Sequence, residues 1–127
     1  KCRDIHIRSM TVTENDCRAM LKGWTRQYMG EGATEPCFMG FSDLGKTTRG
    51  TTRHCITDGG TRYGVIRINT RLKASWRIKA TLWHEFCHHW EWAETGVHGH
   101  GEGFDSRVRR NPVQWLLCAI SRCIPMR

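Results

Sequence analysis

The sequence predicts an α+β domain with an N-terminal helix, a small antiparallel three-stranded meander, a long helix and a C-terminal helical segment. Two stretches carry apolar residues at helical spacing, and the segment between them is rich in β-branched and aromatic residues. The chain has 127 residues, which suits one hydrophobic core and leaves little room for a second. We therefore predict a single domain over residues 1–127.

The first helix is predicted to begin after Thr13, whose hydroxyl can cap the free backbone amides at that end. Asp16 follows three residues later, where an acidic side chain completes a capping box. Apolar residues then recur at helical spacing, namely Ala19, Met20, Trp24 and Tyr28. Gly30 and Gly32 indicate the end of this helix, since glycine readily adopts the conformations that terminate helices.

Three strands are predicted over residues 37–41, 47–57 and 63–69, where β-branched and aromatic residues are frequent. Between the last two, the Asp-Gly-Gly sequence at 58–60 is typical of a hairpin turn. An antiparallel meander is the simplest order for strands joined by short connections. The third strand alternates between apolar and polar residues, which predicts one buried face.

The long helix is predicted over residues 75–93, which contain no glycine or proline. Apolar residues recur there every three or four positions and would form the stripe that faces the core: Trp76, Ala80, Trp83, Cys87, Trp90 and Ala93. Gly96 indicates the end of this helix. A short helix over 104–110 and an apolar helix over 113–124, packed on the core, are predicted to follow.

The long helix carries the sequence His84-Glu85-Phe86-Cys87-His88, an HExxH motif. Residues four apart project from one face of a helix, so His84 and His88 can bind the same metal ion. Glu85 lies about 100° round the helix from His84, close to the metal without having to bind it. There it can take a proton from a water and later deliver it to a leaving amine. Zinc suits imidazole ligands and lowers the pKa of a bound water toward about 7.

A catalytic zinc site needs a third protein ligand and an open position for water. Glu91 and Glu94 follow too soon on the same helix to reach round the metal, and we interpret them as solvated acidic residues. His98 and His100 lie beyond the chain reversal at Gly96, in a loop that can fold back on the site. The spacing alone leaves both histidines open as the third ligand.

Residues 81–88, together with the Gly-His-Gly-Glu-Gly-Phe sequence at 99–104, resemble the SprT/Spartan-like metallopeptidases. The signature of that family is a helical HExxH, a short linker and a Gly-His-Gly-Pro-Glu-Phe-like element. Glu-Gly at 102–103 departs from the Pro-Glu of this element, and no zinc ribbon follows. The order of predicted elements also matches, so the resemblance covers residues 10–110 and implies a zincin-like fold.

The resemblance implies zinc bound by His84, His88 and His100, with Glu85 as the catalytic residue. The strand at 66–69 resembles the edge strand that precedes the active-site helix in this family.

Two further histidines are interpreted separately. His98 remains a rival to the third ligand, and His89 points elsewhere on the helix, which favours a partly exposed histidine. An oxyanion formed during hydrolysis would also need stabilisation, for which Tyr28, Tyr63, His98 and several arginines are candidates.

The composition favours contact with polyanions, since the net charge is +8 and the isoelectric point is near 9.5. The resemblance implies that the substrates include proteins bound or crosslinked to DNA. We therefore expect a zinc-dependent endopeptidase of protein substrates. Basic residues compatible with a DNA-facing surface are Lys46, Arg49, Arg53, Arg62, Arg67, Arg71, Lys73, Arg77 and Lys79. No stretch approaches 18 consecutive apolar residues, so no membrane span is expected.

Two other hypotheses remain open. The first is a non-catalytic, zinc-stabilised module that binds nucleic acid. A fourth protein ligand would close its metal site, and Glu85 would support the ligands without taking part in catalysis. A secreted metallopeptidase without a DNA role would pair up to six of the seven cysteines. No Cys-x-x-Cys pair occurs and Cys87 lies inside the motif, so we interpret the cysteines as reduced core residues of an intracellular protein.

Overall fold

A long helix packs against a three-stranded sheet, and shorter helices cover its other sides. This computed structural model describes residues 11–126. The helices are α1 (Glu14–Trp24), α2 (Ser75–Thr95), α3 (Glu102–Val108) and α4 (Pro112–Arg122). The strands are β1 (Cys37–Ser42), β2 (Gly50–Ile56) and β3 (Arg62–Asn69). The predicted α+β class and the order of its elements are confirmed, while residues 1–10 and 127 of the predicted domain lie outside the described part.

The first helix begins as predicted, with a reciprocal capping box. The backbone amide of Asp16 donates to Thr13 Oγ1 over 3.1 Å, and the amide of Thr13 donates to Asp16 Oδ2 over 2.8 Å. A π-helical segment, Thr25–Met29, continues the helix. Gly30 follows with φ 103°, a conformation that favours glycine, and ends the helical run as predicted.

The strand order is β1-β3-β2, so the predicted antiparallel meander is wrong for β1. Strand β2 does pair antiparallel with β3, but β1 lies on the other side of β3 and runs parallel to it. The apolar content of β3 explains this order, because a central strand buries both faces and pairs both edges. Val65 and Ile66 point to opposite faces and are both buried, which also overturns the expectation of one buried face.

The edge of the sheet beside α2 is therefore β2 rather than β3. Residues 66–69 belong to the central strand, which corrects the interpretation of this segment as an edge strand. Strand β2 is rich in threonine and basic residues, and none of its residues is fully buried. Such a polar strand tolerates the edge, where one row of backbone groups has no partner strand.

The core is built around α2, which is buried on most sides. Of its predicted stripe, Ala80, Trp83, Cys87 and Trp90 are buried, whereas Trp76 and Ala93 are partly exposed. Trp83 packs edge-on against Trp24 of α1, with ring centroids 5.2 Å apart. The helix ends at Gly96, which has φ 73°, as the sequence predicts.

A buried arginine of α2, Arg77, hydrogen-bonds to the end of α4. Arg77 is only 9% exposed, which corrects its assignment to the basic surface. Its guanidinium donates to Ser121 Oγ over 2.9 Å and to the carbonyl oxygens of Ser121 and Ile124 over 3.1 and 2.6 Å. These contacts tie Ser121, at the end of α4, and Ile124, just beyond it, to the side chain of Arg77 in α2.

The six cysteines within residues 11–126 are all unpaired. Cys17, Cys87 and Cys118 are buried as expected, but Cys37 and Cys123 are exposed and do not belong to the core. Cys2 lies outside the described residues.

Within the described range, no helix has the length and apolar character needed to cross a membrane.

Candidate metal centre and active site

Three histidines meet at one end of the cleft between β2 and α2. His84 and His88 lie one turn apart on α2, and His100 comes from the loop that joins α2 to α3. One nitrogen from each imidazole lies within 4.8 Å of the other two. The structure therefore brings together the three residues predicted as metal ligands.

The spacing of these nitrogens suits a tetrahedral divalent ion. His88 Nε2 and His100 Nε2 are 3.2 Å apart. Ligands at the usual zinc–nitrogen distance of about 2.0–2.1 Å are roughly 3.3 Å from one another in a tetrahedron. Nitrogen donors of this kind and number fit zinc.

The environment keeps the imidazoles of the helix uncharged. Burial lowers the pKa of His84 to about 4, and the positive charges of His100, Arg122 and Arg49 act in the same direction. Burial also lowers the pKa of His88 to about 3, with further contributions from neighbouring histidines. At neutral pH both side chains therefore offer free lone pairs, which a metal ion requires.

Phe104 of α3 holds the three rings against one another. Its ring stacks on His88 with centroids 4.1 Å apart and an interplanar angle of 17°. It also meets His84 and His100 at steep angles, with centroid distances of 4.9 and 5.0 Å. The side chain is buried, so this one contact restricts the orientation of all three imidazoles.

Glu85 lies beside the histidines and is 5% exposed. Its Oε1 accepts a hydrogen bond from Thr52 Oγ1 over 2.8 Å, and its Oε2 lies 4.0 Å from His84 Nε2. Burial raises the pKa of Glu85 to about 7, although the hydrogen bond from Thr52 acts in the opposite direction. A carboxyl group with a pKa near 7 can accept and release a proton at neutral pH.

Gly50 allows β2 to approach α2 at the position of Glu85. A Cβ atom at this residue would lie 2.9 Å from Thr81 Cγ2 and 3.1 Å from Glu85 Cγ. Both distances are shorter than ordinary van der Waals contacts, so a larger residue would displace the strand or the glutamate. The strand thus forms one wall of the site only because residue 50 has no side chain.

Alternate residues of β2 contribute the side chains that sequence reasoning missed. Thr52 contacts Glu85, and His54 lies two residues further along the strand. They help to line a cleft of about 350 Å³ together with His84, Glu85, His88 and His100. His54 Nε2 is buried and has no hydrogen-bond partner among the described residues. The two-residue repeat of a strand could have indicated that Thr52 and His54 share a face, but not which face meets α2.

His98 lies outside the three-histidine group. Its ring packs against His54 with centroids 4.6 Å apart and against Trp92 at 5.9 Å. Tyr28, a candidate for stabilising the oxyanion, packs instead against Trp83, with ring centroids 4.9 Å apart, and is part of the aromatic core.

His89 is completely buried, which corrects the expectation of a partly exposed residue. The backbone amide of Gly64 donates to His89 Nδ1 over 2.8 Å. His89 Nε2 lies 2.8 Å from the carbonyl oxygen of Thr34, so the neutral ring that carries its proton on Nε2 satisfies both contacts. This histidine joins α2 to the sheet and to the loop before β1.

Glu91 is also buried, at 4% exposure, so its interpretation as a solvated residue is wrong. Its Oε2 lies 3.9 Å from Arg107 Nη1, and Glu94, which is exposed as expected, lies 3.0 Å from Arg107 Nη2. Because Arg107 belongs to α3, these contacts hold α3 against α2 close to the loop that carries His100.

Comparison with models of protein families gives a match to the SprT-like family over residues 17–116, that is 100 of the 127 residues in the chain. The matched region contains the complete HExxH motif and His100. Searches of curated proteins and of solved structures found no match.

Proposed function

Because this chain belongs to the SprT-like family, we propose that it is a zinc-dependent endopeptidase that hydrolyses protein substrates. The observation that carries this proposal is the meeting of three histidines beside a buried glutamate. His84, His88 and His100 would hold the ion, and Glu85 would be the catalytic residue. When bound, zinc supplies the Lewis acidity that polarises the scissile carbonyl and activates water.

Glu85 would move the protons of the reaction. The carboxylate would take a proton from the attacking water and then pass it to the leaving amine, and burial, which raises its pKa, makes it a stronger base. Thr52 holds Oε1 by a hydrogen bond, which fixes the carboxylate plane and leaves Oε2 on the side of His84. The side chain of Glu85 is 5% exposed and lies where Gly50 lets β2 approach α2.

The edge strand beside the cleft supports an extended protein substrate. Strand β2 pairs with β3 along one edge, and the described residues contain no strand on its other edge. Its residues Gly50, Thr52 and His54 line the cleft that contains Glu85. An extended polypeptide could pair with the free edge and present a peptide bond to the site.

An open coordination position favours an enzyme over a purely structural zinc module. The one group within residues 11–126 that could hold a metal consists of three histidines, with no cysteine or carboxylate as a fourth member. Structural zinc sites usually have four protein ligands, whereas catalytic sites keep one position for water or substrate.

The decisive experiment compares zinc content and cleavage of casein in wild type, Glu85→Gln and His100→Ala. We expect Glu85→Gln to retain zinc and lose about 10²–10⁴-fold in rate, since only the proton-transferring group is removed. His100→Ala should lose zinc and cleavage together. His98→Ala is the matched control, and it should keep the metal because this histidine packs against His54 instead. Normal cleavage by Glu85→Gln, or zinc without cleavage in wild type, would refute the proposal.

We further propose that the substrates are proteins associated with DNA. The net charge of +8 supports this, because arginine and lysine side chains attract phosphate groups. The test is the rate of casein cleavage with and without single-stranded DNA, at low and at raised salt. Stimulation that disappears at high salt supports an electrostatic DNA contact, and an unchanged rate argues against it.

A further inference from the structure

A second cavity adjoins the candidate active site on the side of α4. It has a volume of about 240 Å³ and reaches His84 and Glu85 at one end. The remainder of its wall includes Arg49, from the segment before β2, and Arg122, from the end of α4. The cavity is therefore continuous with the place where a peptide bond would be cut.

The charge of this cavity is unbalanced. Glu85 is the one acidic residue in its lining, against two arginines. Neither Arg49 nor Arg122 forms an ion pair with any of the described residues.

The position of Arg49 is fixed while part of its donor capacity is unused. Its Nη2 donates to the carbonyl oxygen of Arg122 over 2.8 Å, which ties the segment before β2 to the end of α4. Its Nε is buried and has no hydrogen-bond partner among the described residues. A buried donor of this kind gains most from an acceptor that arrives with the substrate.

We propose that this cavity binds a carboxylate group of the substrate between Arg49 and Arg122, so that the enzyme prefers an acidic residue next to the scissile bond. The proposal rests on the endopeptidase function proposed above. Guanidinium groups form strong, charge-assisted hydrogen bonds with carboxylates, which gives the pair its selectivity over neutral side chains. The carboxylate can come from an internal Asp or Glu side chain or from the C-terminus of a peptide.

The first test uses wild-type, zinc-loaded enzyme and matched fluorogenic peptides. One pair differs by Glu or Gln at each position flanking the cleaved bond, and a second pair differs by a free or amidated C-terminus. We expect kcat/KM to be at least about tenfold higher for a carboxylate than for its amide, as a charged hydrogen bond predicts. Preference within the first pair identifies a side chain, and preference confined to the second identifies a C-terminal carboxylate.

The second test assigns the preference to the arginines. Arg122→Gln and Arg49→Gln should bring the ratio of the two kcat/KM values close to one, and Arg122→Lys should restore part of it. Arg26→Gln is the control, because Arg26 is an exposed arginine that pairs with Glu31 away from this cavity. Zinc content and thermal unfolding of each variant separate a loss of selectivity from a loss of folding.

Equal kcat/KM values for the carboxylate and amide peptides in wild type would overturn the proposal. A preference that survives both Arg→Gln substitutions would do the same. Weaker binding of single-stranded DNA in Arg122→Gln, with an unchanged peptide ratio, would assign the arginines to phosphate instead. If wild type cleaves no peptide, the endopeptidase function fails separately, and fluorescence anisotropy of the same labelled peptides still decides whether the cavity selects carboxylates.

Discussion

Two adjacent histidines on opposite sides of α2 have different surroundings. His88 faces the cleft and His89 faces the sheet, and both are buried, at 8% and 0% exposure. Each nitrogen of His89 contacts a backbone group, whereas His88 has an unpartnered Nδ1 and an Nε2 that meets only another imidazole. For this pair, burial does not separate the candidate metal ligand from the structural histidine, whereas the groups that the ring nitrogens meet do.

Physical chemistry explains why the partners matter. A buried polar atom without a partner costs about 1–3 kcal/mol, so it persists where something outside the chain can compensate. His89 is compensated by Gly64 and Thr34, and its place is settled by the fold. His88 Nε2 meets only His100 Nε2, 3.2 Å away, and a metal ion bound by both nitrogens would supply the interaction that neither ring offers the other.

The largest effect expected from this comparison is on metal binding. His88→Phe should abolish binding of zinc and cleavage, whereas the matched His89→Phe should still bind one zinc per chain. The reason is that only the first substitution removes a nitrogen from the three-histidine group. Elemental analysis after gel filtration measures the zinc content. Loss of zinc from both variants would show that His89 is also needed for metal binding, contrary to the comparison.

The unfolding free energy should fall more in His89→Phe than in His88→Phe, the reverse of the order for metal binding. In the metal-free protein, His89→Phe leaves the amide of Gly64 and the carbonyl of Thr34 unpaired, at about 1–3 kcal/mol for each group. His88→Phe breaks no hydrogen bond to the backbone and should cost less than about 1 kcal/mol. Urea unfolding followed by tryptophan fluorescence compares the two. A larger loss for His88→Phe would contradict our account of His89.

Acid should lower the unfolding free energy of the metal-free protein through protonation of His89. Burial lowers the pKa of His89 from 6.5 to about 4. Between these values the unfolded chain binds more protons than the folded one, so the contribution of His89 is fully present above pH 6.5 and is lost toward about pH 4. The metal-free wild type should therefore lose more stability over this range than His89→Phe, in which the other titrating groups are retained. Parallel curves of unfolding free energy against pH would refute this.

The smallest effect concerns the orientation of Glu85, the proposed catalytic residue. Thr52→Val removes the hydrogen bond to Glu85 Oε1 and should lower kcat about two- to tenfold with zinc retained. Since that hydrogen bond lowers the pKa of Glu85, the acidic limb of the pH–rate profile should also move to higher pH. Thr70→Val is the control at an exposed threonine. A fall in rate without a shift of the profile would indicate a merely structural role for Thr52.

Local features could be predicted from the sequence because neighbours along the chain determine them. The capping box between Thr13 and Asp16 requires only a three-residue spacing, and the shared face of His84 and His88 follows from the helical repeat. The approach of His100 was implied by a family resemblance, since a flexible loop after Gly96 allows several histidines to reach the site.

The features that escaped prediction depend on contacts between distant segments. The place of β1 beside β3 is decided by which strand is most deeply buried, and local propensity does not report burial on both faces. The burial of His89 depends on its contacts with Thr34 and Gly64, and that of Glu91 depends on Arg107. These partners are distant along the chain, so the spacing of residues on the helix does not reveal them.

The hydrogen bonds of Arg77 connect the C-terminal end of α4 to α2, and this has a consequence for local opening. Helix ends ordinarily fray, and their amide hydrogens exchange with solvent through small local openings. Here the carbonyl groups of Ser121, in the last turn of α4, and of Ile124, just beyond it, accept hydrogen bonds from the guanidinium of Arg77 in α2. Opening that end therefore requires a buried cation to lose its partners. Amide hydrogens in the final turn of α4 should therefore exchange as slowly as those of α2, and the two helices should behave as one cooperative unit.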